Sequence, residues 1–222
     1  MIKKGDFVEL DFVGRIKDNN EIFDLTKENV AKENNIYNSK LSYKPMTICV
    51  GEGDILKKLE EKLIGKDKGE HKVEIKTEEA FGKKNPTLLK LVPIKIFKKE
   101  NLRPFPGLNV KIDNLIGTVR SVSGGRVIVD FNHPLAGKDL VFDIEIKRIV
   151  KDTEEKIDSI VSKANSKYEL KIENEKLCLK IKLDDIHKGM LKAKILKLVP
   201  EIKEVIFDDE VEKVKSNLNK KK

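Results

Sequence analysis

The residues in this chain that could do chemistry of their own are few. It has two cysteines, Cys49 and Cys178, and three histidines, His71, His133 and His187, among 222 residues. None of the five has a second Cys or His at the short spacing a tetrahedral metal site requires, so no metal site is expected. Both cysteines sit in apolar runs, Thr47-Ile48-Cys49-Val50 and Leu177-Cys178-Leu179, far apart in the chain. They read as buried free thiols rather than a disulfide. Gly51-Glu52-Gly53 lacks the third glycine and the downstream acid of a dinucleotide site, and no phosphate-binding loop or nucleophile turn occurs. Carboxylates are abundant but interspersed with lysine, as on solvated faces. No cofactor is expected, and neither nucleophilic nor metal chemistry is supported. The most informative stretch is instead a loop, Asn132-His133-Pro134-Leu135-Ala136-Gly137. It feeds a strand in which Leu140, Phe142, Ile144 and Ile146 alternate with Val141, Asp143 and Glu145.

Charged residues make up 38% of the chain and hydrophobic ones 39%. That balance suits globular modules with small cores. No apolar run is long enough to span a membrane, and Met1-Ile2-Lys3-Lys4-Gly5-Asp6 lacks the apolar centre of a signal peptide. The expected location is the cytoplasm, with no membrane partner. The net charge is +8, and Lys far outnumbers Arg. Residues 83–132 alone hold ten Lys and Arg against three Asp and Glu. Such a basic segment could meet RNA or the ribosome electrostatically, but it carries no RNA-binding signature. Abundant Lys, Glu and Ile without Trp suits a hyperthermophile or an AT-rich genome.

These residues must be positioned by three groups of elements. In the first, residues 6–16 alternate as a strand, Asp18-Asn19-Asn20 turns, and Glu21–Asp24 returns. Thr26 is placed to cap a short helix over 27–32, and Met46–Val50 alternates again. Asp54 is placed to cap a helix bearing Ile55, Leu56, Leu59 and Leu63 on one face, ended by Gly65. A strand over 72–76 carries Val73 and Ile75 inward, and residues 77–82 turn. In the second group, residues 83–131 hold four of the seven prolines. Strand-like runs follow, over 108–112, 115–122 and 126–131, with Asp113-Asn114 and Gly124-Gly125 as hairpin turns. One long apolar strand face is expected earlier, over Leu88, Leu89, Leu91, Val92, Ile94, Ile96 and Phe97. The third group reads helix, strand, strand, helix, strand. It comprises a helix over 151–165 with Ile157, Ile160, Val161 and Ala164 inward, strands over 168–172 and 176–183, a helix to about Val199 stopped by Pro200, and a strand over 202–207. Residues 217–222 are expected to fray.

Several of these segments resemble FKBP-type peptidyl-prolyl isomerases, in order along the chain. They are Phe12-Val13-Gly14, Phe23-Asp24-x-Thr26, Val50-Gly51-Glu52-Gly53-Asp54-Ile55-Leu56 with Leu59-Glu60, Ala80-Phe81-Gly82, and Leu140-Val141-Phe142. The loop at 132–137 resembles that of SlyD-type members, and the stretch before it sits where they carry an insert-in-flap domain. The long segment over 27–43 resembles archaeal members. The resemblance implies an α+β chain with an FKBP-like antiparallel sheet wrapping a short helix (residues 1–83 plus 132–152). It also implies a small β insert domain (84–131), followed by the C-terminal α-β-β-α-β domain (153–222).

It further implies activity. Rotation about an X–Pro bond meets a barrier of roughly 20 kcal/mol because the twisted amide loses resonance. A dry apolar pocket that holds the twisted form better than either planar form lowers it without covalent chemistry. By the resemblance, Phe12, Asp24, Phe81 and Phe142 act on the amide, with Asp24 the single acid aimed at it. Phe23, Met46, Ile55, Leu56, Leu59 and Leu135 line the pocket, with Leu59 as its floor. The backbone N–H of Ile55 or Leu56 would bind a substrate carbonyl. Phe12 and Phe81 stand where many members have Tyr, so two hydroxyls are missing and one side-chain donor with them. The insert would capture unfolded, proline-containing polypeptides through Leu89, Leu91, Val92, Ile94, Ile96 and Phe97. The third module reads as a domain for interaction or homodimerisation. The competing reading is a peptide-binding, chaperone or RNA-binding scaffold without catalysis.

Overall fold

The computed structural model describes residues 1–208; the expectation for 217–222 lies outside them. In chain order the strands are β1 (Phe7–Ile16), β2 (Ile22–Leu25), β3 (Met46–Cys49), β4 (Gly69–Ile75), β5 (Leu89–Pro93), β6 (Asn109–Ile112), β7 (Leu115–Ser123), β8 (Arg126–Asp130), β9 (Leu140–Val150), β10 (Tyr168–Glu173), β11 (Lys176–Ile181) and β12 (Glu204–Phe207). The α-helices are α1 (Glu28–Glu33), α2 (Lys57–Leu63), α3 (Ile94–Lys99), α4 (Thr153–Ala164) and α5 (Asp185–Leu198). The chain is thus α+β. It divides into two compact units. One holds Met1–Val13, Asp24–Val73 and the described residues from Phe142 on; the other holds Gly14–Phe23 and Glu74–Val141.

The largest sheet runs in the order β2-β1-β9-β4, with β3 also on β1. The β1–β3 register pairs Phe7 with Cys49, Val8 with Ile48 and Leu10 with Met46, antiparallel. Val8, Leu10 and Phe12 are buried, and so are Phe7, Asp11 and Val13. The alternation in β1 therefore marks two packed faces rather than one wet and one dry.

In the first unit, α4, β10, β11, α5 and β12 form the expected helix-strand-strand-helix-strand module. Asn174 and Glu175, both at positive φ, make a tight turn between β10 and β11. β12 runs parallel to β11 and is reached through α5, the crossover a parallel pair requires. Its core includes Ile157, Ile160, Val161, Leu177, Leu179, Leu191, Ile195 and Phe207. Phe7, Cys49 and Val150 of the large sheet belong to the same core. Each such side chain contributes about 2 kcal/mol on burial. Ala164 is exposed rather than inward.

In the second unit, β5-β8-β7-β6 form a four-stranded antiparallel sheet around Val92, Phe97, Val110, Val119, Val127 and Val129. Asp113-Asn114 and Gly124-Gly125 take positive φ as hairpin turns. The strand expected to continue through Phe97 ends at Pro93. Pro93 pairs with Arg126, the first residue of β8, so the partner strand ends there, and a proline offers no ladder donor. The Ile94 N–H donates to the Gly125 carbonyl at 3.0 Å, and α3 begins. That turn carries Phe97 into the core, where it is 2% exposed.

Two expected caps are corrected. Thr26 does not cap α1, whose N-cap is Lys27 without a side-chain bond. Asp54 does not cap α2, whose N-cap is Leu56. Both side chains are held by more distant partners.

Candidate functional site

Thr26 is where local chemistry gives way to tertiary structure. Its hydroxyl donates to Asp11 Oδ1 at 2.6 Å and accepts the Phe12 N–H at 2.9 Å. Its own N–H donates to the Phe12 carbonyl at 3.0 Å. Lys147 reaches Asp11 and Glu145, and Lys27 reaches Glu145. This polar set, buried at Asp11 and Thr26 and partly exposed at its lysines and Glu145, fixes the backbone on either side of Phe12 and the chain just after Asp24. Phe12 packs on Phe142, ring centroids 6.1 Å apart and tilted 54°. Both rings are buried. Asp24 lies on the open side of β2. Crowding by neighbouring atoms strips enough water from its carboxyl to raise its pKa, an effect partly offset by a bond from the Leu25 N–H.

The turn before α2 is built around Glu60, a carboxylate only 1% exposed. Its Oε2 accepts the N–H groups of Gly51 at 2.7 Å and Gly53 at 3.1 Å, and its Oε1 accepts that of Ile55 at 3.0 Å. Gly51 and Gly53 sit at φ of +99° and +77°, a conformation that side chains disfavour. The Ile55 N–H is thereby committed to the protein. The Leu56 N–H has no hydrogen-bond partner among the described residues, so of the two expected donors it is the one left for a ligand. Asp54 accepts the Cys49 N–H at 2.8 Å and pairs with Lys163 of α4 and Lys194 of α5. These contacts hold its carboxyl below the usual carboxylate range against the opposing effect of burial.

Phe12, Asp24 and Met46 border one open cleft of about 830 Å³, within the first unit. Its opposite wall comes from α4, through Glu155, Asp158 and Ser162. Ile55, Leu56, Leu59 and Phe142 do not line this cleft. Leu59 is fully buried, Phe142 backs Phe12, and Ile55 and Leu56 are half-buried. The α4 wall had no signal in the sequence beyond a charged helix.

The other expected site residues belong to the second unit. Phe23 is half-buried in β2. Phe81 stacks flat on His133, centroids 4.0 Å apart and planes within 4°. Leu135 is largely buried. The Gly137 N–H donates to the Gly82 carbonyl at 2.8 Å, tying the turn after Phe81 to the 132–137 loop. Asp139 anchors the start of that turn, accepting the Thr77 N–H and hydroxyl at 2.8 and 2.9 Å and pairing with Lys76. Those bonds, the Thr77 N–H first among them, hold its pKa down at about 2. A depressed carboxylate stabilises the fold above its unfolded value of about 3.9 and loses that contribution as pH falls through the folded one. Thermal melts of wild type and Asp139→Ala are therefore expected to differ at pH 6 and to converge between about pH 4 and pH 2. A gap that persists unchanged to pH 2 would exclude this role.

The insert also departs from expectation. Val92 and Phe97 are core residues, and Ile94 packs half-buried against them. Leu89, Leu91 and Ile96 are exposed. Leu91 lies opposite Ile128 in the β5–β8 ladder, and Ile128, Leu102, Phe105, Leu115 and Ile116 are also exposed. The apolar surface of the insert is thus real but differently composed.

Comparison with known proteins places the chain. Residues 90–135 match the family described as FKBP26, IF domain. The chain is 33% identical over 150 residues to a short-type peptidyl-prolyl cis-trans isomerase of Methanocaldococcus jannaschii, covering 67% of this chain and 94% of that one. It is 38% identical over 108 residues to a probable FKBP-type 16 kDa isomerase of Pseudomonas fluorescens, covering 46% and 71%. It is 31% identical over 128 residues to the FKBP-type isomerase SlyD of Helicobacter pylori, covering 55% and 68%. The chain belongs to the FKBP-type peptidyl-prolyl cis-trans isomerases. Within that family it is of the SlyD-like kind.

Proposed function

We infer that this chain accelerates rotation about X–Pro bonds in folding polypeptides. The observation that carries the reading is the joint placement of Phe12, Asp24 and Met46 on one cleft, with Phe142 fixing the Phe12 ring from behind. A proline ring needs an apolar wall, which Phe12 and Met46 supply on one side of the cleft, while the facing α4 side, with Glu155, Asp158 and Ser162, is polar. Asp24, partly stripped of water, interacts more strongly with an amide dipole than a fully hydrated carboxylate does. The Leu56 N–H is the donor available for a substrate carbonyl. Nothing in this scheme requires a bond to form or break.

The domain roles follow. Residues 1–83 with 132–152 carry the isomerase, 84–131 capture extended chains, and 153–222 serve interaction. The exposed Leu and Ile side chains of the insert suit apolar segments of such chains. The expected setting is the cytoplasm. In the third module, Ile186 and Met190 lie one turn apart on α5 and are 75% and 66% exposed. They support a homodimer, which sedimentation of the full chain and of Ile186→Asp would test: loss of dimer in the variant is expected.

The activity itself is tested by proline-limited refolding and by a protease-coupled peptide assay. Wild type should accelerate both. Phe142→Ala should lower kcat/KM at least tenfold and destabilise by about 3 kcal/mol, since a large buried ring is removed. Melts should accompany the rates. A well-folded wild type that accelerates neither reaction would leave the non-catalytic scaffold reading.

A further inference from the structure

The cleft bordered by Phe12, Asp24 and Met46 lies wholly within the first unit, and α4 of the third module faces it with no apolar side chain. That wall is firmly set. Ile157, Ile160 and Val161, on the other face of the helix, are buried in one core with Phe7, Cys49 and Val150 of the large sheet. Asp152 caps the helix by accepting the Glu155 N–H at 2.9 Å. The Ser159 hydroxyl turns back to the Lys156 carbonyl at 2.7 Å. Asp158 accepts a hydrogen bond from the Tyr168 hydroxyl. That bond orients the Asp158 carboxylate and leaves it further lone pairs for a second partner.

The charge of the cleft runs against that of the chain. Six carboxylates line it against three cations, in a protein whose net charge is +8. Two of those cations are already committed. Arg148 pairs with Glu9 at 2.6 Å and with Glu155 at 2.7 Å. Lys163 pairs at 2.6 Å with Asp54, which is not part of the cleft. Among the described residues no cation pairs with Asp24, Glu154 or Asp158, and Lys44 is the lining cation left without an ion pair. Glu154 and Asp158 are four residues apart on α4, so they share one face of the helix. The two sides of the cleft therefore differ in kind, apolar at Phe12 and Met46 and acidic at α4. Successive residues of an extended peptide are ~3.5 Å apart. With a proline against the apolar side, neighbours within a few residues are delivered to α4. A Lys or Arg there can lay its stem along the cleft and set its charged head at the carboxylates. An acidic neighbour meets like charge instead.

We propose that α4 makes the third module part of the substrate site, where Asp158 and Glu154 select X–Pro segments that carry a Lys or Arg within a few residues of the proline. The proposal rests on the isomerase reading and deepens it by naming the substrate class. The test is the rate of cis–trans exchange of otherwise identical peptides bearing Lys, Ala or Glu, in one series two residues before the proline and in another two residues after it. The full chain is used as wild type, Asp158→Asn and Glu154→Lys. Asp158→Asn removes the charge and keeps an oxygen for the Tyr168 hydroxyl; Glu154→Lys breaks no ion pair among the described residues. A partly exposed ion pair corresponds to about a threefold change. In wild type, kcat/KM should therefore be about ninefold higher for the Lys peptide than for the Glu peptide in at least one series, with Ala between them. That ratio should fall to about threefold in Asp158→Asn and to about one in Glu154→Lys. It should also shrink in wild type at about 1 M salt, where the Debye length is ~3 Å. A variant that only loosens the fold lowers all three peptides alike and leaves the ratio untouched. The proposal is overturned by a ratio that both variants leave unchanged, or by one that salt does not reduce. An active wild type that treats the three peptides alike in both series overturns this proposal alone. An inactive wild type overturns it together with the isomerase reading.

Discussion

Glu60→Gln is expected to destabilise the protein by about 3 kcal/mol, because charge-assisted bonds to three backbone N–H groups are replaced by an amide that can satisfy at most one side of them. In a chain of this size that corresponds to a fall in melting temperature of roughly 9 °C. The wild-type carboxylate is 1% exposed and accepts from Gly51, Gly53 and Ile55 at once. In the glutamine variant one end of the amide presents N–H to N–H. The turn must then open, and with it the position of the Leu56 N–H. Peptide kcat/KM should fall about tenfold or more even at temperatures where the variant is fully folded, the effect of misplacing one binding donor and the adjoining Ile55 and Leu56. Asp54→Asn is the contrast. It weakens ties to Lys163 and Lys194 but leaves the three N–H groups seated. Melts and peptide kinetics on both variants decide the matter. A Glu60→Gln protein within about 1 kcal/mol of wild type would show that the three bonds are replaceable by water.

Excising the insert is expected to leave catalysis on a short peptide within about twofold of wild type, while slowing proline-limited refolding of a protein on the order of 100-fold, the gain an effective-concentration device supplies. The excision is structurally feasible. The Asn85 N–H donates to Asn132 Oδ1 at 2.7 Å, and Asn132 Nδ2 donates back to the Asn85 carbonyl at 3.1 Å. The two ends of the insert therefore meet, and replacing residues 86–131 by two glycines closes the gap. Asp130, which ties Arg120, Lys84 and Asn132 together, leaves with the insert, so melts of the shortened protein are part of the measurement. A finer version keeps the insert and replaces Leu91 and Ile128 by Ser. Those side chains are exposed and face each other in the β5–β8 ladder. Refolding should weaken severalfold with little change in stability. Equal loss on peptide and protein substrates would remove the capture role from the insert.

Wherever a residue's fate depended on its immediate neighbours, it was legible in the chain. The hairpins at Asp113-Asn114 and Gly124-Gly125 needed only residues that tolerate positive φ. The helix-strand-strand-helix-strand order of the third module followed from periodicity, and the family from short motifs in sequence order. Residues whose partners lie far along the chain were misread. Thr26 has the side chain of a cap, but Asp11 and the Phe12 backbone, fourteen or fifteen residues away, take its hydroxyl instead. Val92, Ile94, Ile96 and Phe97 read as one apolar face. Only the end of β8 at Arg126 stops the ladder and turns Phe97 inward. Glu60 looked like one acid among many, and nothing local marked the three N–H groups that gather on it. The same holds for α4, a charged helix by its sequence and one wall of the Asp24 cleft by its packing. Turn chemistry and periodicity are properties of adjacent residues, so the sequence alone determined the family and most of the elements, α3 excepted. Which hydrogen bond a side chain makes, and which apolar face stays wet, is a competition among distant groups that only the tertiary structure decided.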